Sequence, residues 1–98
     1  MTCHSEKSLV LAVKRYAEKI GAAFYKNPPS KSGRPDIEVM KNNRVAIIET
    51  KKGGVDEVRV SQLFEIKHLK EAGCSVLVSN DIEKIKEFIN ATLQISES

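Results

Sequence analysis

Cysteine is scarce in this chain, with two in 98 residues, Cys3 and Cys74. Neither belongs to a CxxC pair, so neither a zinc site nor a disulfide framework is expected. Cys74 opens an apolar run and reads as a buried thiol. Histidine is equally sparse. His4 and His68 lie far apart, and neither has a serine or cysteine partner at a recognisable spacing. His68 reads as a helix-surface residue and His4 as part of a loose terminus. No window approaches the roughly 20 apolar residues that a membrane span needs. The opening residues, Met1 to Glu6, lack the basic and apolar regions of a signal peptide. These absences lead us to expect a cytoplasmic protein without a membrane partner or an organic cofactor.

The length suits one domain over residues 1–98, with a core that buries roughly 60–70% of the unfolded surface. An apolar content of 41% is ordinary for a globular protein. The net charge of +3 is mildly basic, which permits nucleic-acid binding without demonstrating it. The distribution says more: from Lys26 to Arg34 every charged residue is positive, and Lys51 and Lys52 follow a carboxylate.

Hydrophobic spacing divides the chain into elements. Leu9, Val13, Tyr16 and Ile20 recur at helical spacing, which predicts a helix over Ser5 to Ile20, capped by Ser5 and ended by Gly21. Ala22 to Tyr25 is a short apolar strand, and Asn27 to Gly33, with two prolines, is a loop. Ile37 to Met40 and Arg44 to Lys51 are strands around the turn residues Lys41-Asn42-Asn43, and so form a hairpin. The unbroken run Val45 to Ile48 suits a central strand covered on both faces. After Gly53-Gly54, Ser61 is a plausible cap for a helix from about Gln62 to Ala72, with Leu63, Ile66 and Leu69 inward and Gly73 at its end. Cys74 to Val78 is a strand. Asn80, with Glu83 at the capping-box position, starts a last helix striped by Ile82, Ile85, Ile89 and Leu93. The final strands connect through a helix, so they are expected to be parallel. The fold class is α/β, a mixed sheet flanked by helices.

Two acidic groups stand out. Asp36 follows Pro35, which stiffens the backbone there. Glu49 ends an apolar strand, where a carboxylate needs compensation that a cation or Lys51 can supply. Lys51 lies two residues on, on the same strand face. The hairpin returns the end of its second strand beside the start of its first, so Asp36, Glu49 and Lys51 converge. Hard oxygen ligands suit Mg²⁺ or Mn²⁺, which lowers the pKa of bound water and stabilises charge on a phosphate. Taken singly, Glu49 and Lys51 read as a surface ion pair, and Asp36 as a turn residue. Together, in a strand–turn–strand setting, they point to phosphodiester hydrolysis.

This constellation, Pro35-Asp36 then Glu49-Thr50-Lys51, resembles the PD-(D/E)XK nuclease superfamily, whose restriction-endonuclease-like core has the same αβββαβα order. More narrowly, the chain resembles the VRR-NUC family. The supporting residues are Glu6 in the first helix, Gly33 to Asp36, Val45 to Lys51, Ser61-Gln62, and Ala72-Gly73 before a strand. It is also similar to archaeal-type Holliday junction resolvases.

The resemblance implies roles residue by residue. Asp36, Glu49 and Lys51 are the catalytic set. Glu6, Asp36, Glu49 and the backbone carbonyl of Thr50 are the metal ligands. Glu6 also reads as a helix-start carboxylate favoured by the helix dipole. Lys26, Arg34, Lys52 and Gln62 are the candidate DNA contacts, with a helix-terminus role as the alternative for Gln62. Arg34 stands where the family often has an apolar residue between glycine and proline. The implied activity is a Mg²⁺- or Mn²⁺-dependent endonuclease on branched DNA, most of all Holliday junctions. A homodimer would supply two symmetric cuts; Phe88 on the last helix is a candidate contact, with core packing as the preferred reading. A virus or prophage setting fits such small members. The alternatives are a nicking, flap or restriction-like nuclease, or a non-catalytic DNA-binding module.

Overall fold

The structure is a computed structural model that describes residues 6–27, 35–50 and 60–96. Helix α1 spans Glu6–Lys19, and strands β1 (Ala23–Lys26), β2 (Ile37–Lys41) and β3 (Arg44–Thr50) follow it. Helix α2 (Val60–Glu71), β4 (Ser75–Ser79) and α3 (Ile82–Leu93) complete the order. This is the expected succession of helices and strands, within a residue or two at each boundary. The proposed cap Ser5 and the segment holding Gly53-Gly54 lie outside the described residues.

The sheet runs β1-β2-β3-β4 in space. The first three strands are antiparallel, and β3 and β4 are parallel, as the helical crossover requires. Lys41 pairs with Arg44 across a two-residue turn whose residues, Asn42 and Asn43, both have positive φ, 58° and 61°. Such a turn matches the twist of the flanking strands, and asparagine tolerates it. Asn42 also reaches out of the turn: its Nδ2 donates to the Leu93 carbonyl at the end of α3, at 2.9 Å.

Alternation along the strands splits the molecule into two unequal layers. Ile37, Val39, Ala46 and Ile48 face α1 and α3 and are fully buried with Leu9, Val13, Ala17, Ile85, Ile89 and Leu93. Tyr16 Oη donates to Asn90 Oδ1 and so ties α1 to α3. The other face carries a smaller cluster of Ile47, Val76 and Ile66, joined by Leu69 and Val78. Helix α2 thus covers the β3–β4 half of this face. Tyr25 and Glu38 pair across the β1–β2 half, where Tyr25 is 55% exposed.

The helices end alike. Gly21 (φ 75°) and Gly73 (φ 94°) follow α1 and α2 in the left-handed region. Around each, two bonds close the end: Gly21 N–H to Glu18 and Ala22 N–H to Ala17, then Gly73 N–H to Lys70 and Cys74 N–H to Leu69. At the first of these ends the Lys41 ammonium donates to the Ile20 carbonyl, a cation on the negative end of α1. Helix α3 ends with the same geometry on Gln94, φ 57°.

Four expectations are corrected. Cys74 is exposed, because it completes the turn after α2 and precedes β4. Ser61 lies inside α2, which begins at Val60. The cap of α3 is Asp81, whose carboxylate accepts from the Glu83 and Lys84 N–H groups; Asn80 stands one residue too early. Leu63 is 55% exposed, so the inner face of α2 is Ile66 and Leu69. Among the described residues, no helix is long and apolar enough to cross a membrane.

Candidate active site

The antiparallel ladder between β2 and β3 has Ile37 opposite Ile48 as its last pair. Beyond it Pro35 has no N–H to offer, so main-chain pairing gives way. Side chains take over. The Asp36 N–H donates to Glu49 Oε1 at 3.2 Å. The Thr50 N–H donates to Asp36 Oδ1 at 3.1 Å, and Thr50 Oγ1 donates to Asp36 Oδ2 at 2.7 Å. Asp36 and Glu49 thus meet where the hairpin opens, while Lys51, the third residue expected to converge there, lies outside the described residues. Thr50 is 4% exposed, while Asp36 and Glu49 are half-buried.

The pleat sorts the faces. Glu49 lies on the same side as Ile47, the α2 side. Parallel pairing sets Glu49 opposite Val78 and Thr50 opposite Ser79, so the carboxylates lie at the C-terminal ends of β3 and β4. The carboxyl end of parallel strands is where open α/β sheets place their ligands. A shallow groove lined by Asn43, Arg44, Val45, Gly73 and Cys74 lies at the opposite end of β3. About four strand residues, roughly 13 Å, separate Val45 at its edge from Glu49.

The donor set fits a hard divalent cation. A carboxylate has about four acceptor positions, and oxygen donors of this kind are those that hard cations take. Thr50, the last residue of β3, adds a backbone carbonyl of the right chemistry. Among the described residues, no group of three or more His, Cys, Asp and Glu side chains is placed to hold a metal ion.

The other expected residues divide as follows. Lys26 ends β1 at the carboxylate end of the sheet and is exposed. It pairs with Ile37, so the pleat turns it toward the α1/α3 face rather than the Glu49 face. Glu6 and Gln62 lie in α1 and α2, but their side chains are outside what is described, as are Arg34, Lys51 and Lys52 altogether.

Two contributions were missed by sequence reasoning, the Thr50 hydroxyl on Asp36 and the side chain of Asn27. Asn27, assigned to the loop, donates its Nδ2 to the Pro35 carbonyl at 2.9 Å and to Glu38 Oε2 at 3.0 Å. Its N–H reaches the Asp36 carbonyl at 2.7 Å. The residue type alone gives no hint of this. An amide spacing of eight residues across a loop has no periodic signature.

A four-stranded mixed sheet between helices, with two carboxylates at the mouth of its hairpin, defines the restriction-endonuclease-like class of α/β fold. Within that class the chain is similar to a solved structure of a VRR_NUC domain. The two agree with a TM-score of 0.74 at 23% sequence identity, over 87% of this chain and 94% of that one. The chain therefore has the VRR_NUC fold expected from its motif. No protein-family model and no curated protein matches the sequence.

Proposed function

We propose that this protein is a member of the VRR-NUC family and a metal-dependent DNA endonuclease, cutting phosphodiester bonds in branched DNA and acting as a homodimer on four-way junctions. The observation that carries the reading is the meeting of Asp36 and Glu49 at the open end of the hairpin, with Thr50 holding both oxygens of Asp36. The VRR_NUC-like fold supports it.

Asp36 and Glu49, with the Thr50 carbonyl and Glu6, would hold Mg²⁺ or Mn²⁺. When bound, such an ion supplies an activated water and charge stabilisation on the phosphate. The residues of the chain do the rest. Glu49 is held by the Asp36 N–H and the Asp36 carboxylate by Thr50, so little reorganisation is needed at reaction. Lys51, one residue past β3, places an ammonium beside the phosphate and steadies charge as it develops. Lys26, Arg34, Lys52 and Gln62 contact the DNA backbone, which positions the duplex without reading its sequence.

A second copy of the chain supplies the second cut of a junction. Phe88 packs against the main core and is no free contact. Exposed Phe64 (70%) and Leu63 (55%) on α2 are the better candidates. The test is a panel of labelled linear, forked and four-way DNA with Mg²⁺. Preferential paired cuts across the four-way junction agree with the reading. Preference for flaps, nicks or defined linear sequences points to another nuclease class, and tight binding with no cutting points to a non-catalytic module.

A further inference from the structure

We infer that Asn27 is a positioning residue for Asp36, an assignment that rests on the nuclease reading above. Asn27 follows β1 directly and is half-buried. It grips the chain on both sides of Asp36. The Asn27 N–H bonds the Asp36 carbonyl at 2.7 Å, and Nδ2 bonds the Pro35 carbonyl at 2.9 Å. Those two carbonyls belong to the peptide planes that precede and follow the Asp36 Cα. Peptide planes are rigid, so fixing both fixes φ and ψ of Asp36 and with them the direction of its Cα–Cβ bond.

The second hydrogen of the same Nδ2 goes to Glu38 Oε2 at 3.0 Å. Both partners of Nδ2 are pure acceptors, so the amide can face them only with its nitrogen. Glu38 sits two residues past Asp36 on β2, which makes the amide a brace from Pro35 to Glu38 across the ligand. Thr50 grips the carboxylate from β3, and Asn27 grips the main chain from β1. Asp36 is held from the two neighbouring strands.

The experiment compares wild type, Asn27→Ala, Asn27→Asp and Glu38→Ala in the full chain. Mn²⁺ affinity is measured calorimetrically without DNA, the Mg²⁺ concentration for half-maximal cutting is measured with DNA, and melting temperature is recorded for each. Removing an outer partner of a metal ligand typically weakens metal binding about 10–100-fold. Asn27→Ala is expected to lower Mn²⁺ affinity about tenfold and to raise the half-saturating Mg²⁺ by the same factor. Asn27→Asp keeps the side-chain volume but sets an acceptor against two acceptors, so it shifts both readouts further. Glu38→Ala, which leaves the Pro35 bond intact, keeps both within about twofold. A purely structural role would lower the melting temperature and leave the metal dependence of the folded fraction unchanged, and that result overturns the inference. If wild type itself neither binds Mn²⁺ nor cuts, the nuclease reading fails and takes the inference with it.

Discussion

Asp36 is the residue on which the chemistry depends, and its neighbours make sharp predictions. Asp36→Asn keeps the shape but removes a charge, and Lys51→Ala removes the ammonium. Each is expected to reduce cutting by about 10²-fold or more, the cost typical of losing a charge-stabilising group. Junction binding, which phosphate contacts dominate, should stay within about tenfold of wild type. A filter-binding assay beside a cutting assay separates the two effects. Thr50→Val is subtler. It retains the N–H bond to Oδ1 and deletes the 2.7 Å hydroxyl bond to Oδ2. A bond to a charged group contributes about 1.5–3 kcal/mol. Its loss is expected to weaken Mn²⁺ binding about tenfold, with Thr50→Ser restoring it, since outer partners of ligands carry effects of that size. The carboxylates were legible in sequence because proline, turn and apolar strand fix where they go. Asn27 and the Thr50 hydroxyl were not, because their roles arise from the gap left where Pro35 ends the ladder.

At the scale of elements, what could be read was set by how unambiguous each local signal is. The hairpin followed from two consecutive asparagines between apolar strands, and the parallel β3–β4 pair from its helical crossover. The stripe of α3 appears as expected, with Ile85, Ile89 and Leu93 fully buried. Caps were less legible: Asn80 and Asp81 are adjacent and both able to cap, and it is Asp81, its N–H held by Ser79 Oγ, whose carboxylate accepts from Glu83 and Lys84. Cys74 misled because an apolar residue after a glycine looks like the first residue of a strand, whereas the helix end claims it. Helix α2 misled because it packs on the sheet through Ile66 and Leu69 and leaves Leu63 outside. The helix ends give a prediction of their own. Gln94 adopts the left-handed conformation that Gly21 and Gly73 supply for α1 and α2. Gln94→Gly should therefore stabilise the protein by about 0.5–1 kcal/mol, because glycine meets no steric cost there. Urea denaturation would show it as a higher midpoint with an unchanged slope.

The whole molecule presents two unlike faces: α1 and α3 close one side of the sheet, and α2 covers the β3–β4 half of the other. On that second side Glu49 lies beside the α2 cluster, and Tyr25 and Glu38 share the β1–β2 half. Three charged backbone contacts per protomer, from Lys26, Arg34 and Lys52, predict that log K falls with log salt at a slope of roughly −3 for each protomer bound. Replacing any one lysine with alanine should reduce the slope by about 1, as read from binding titrations across salt concentrations. Light scattering should find a dimer, and Phe64→Asp, which puts a charge into the proposed apolar contact, should yield monomers that bind but make unpaired cuts. The most direct measurement is cutting of a labelled four-way junction by wild type and Asp36→Asn, with Mg²⁺, Mn²⁺, Ca²⁺ or EDTA. Cutting by wild type in Mg²⁺ or Mn²⁺, lost in EDTA and in Asp36→Asn, is the predicted result. Cutting that persists undiminished in EDTA, or in Asp36→Asn with Mg²⁺, would contradict a cation held between Asp36 and Glu49.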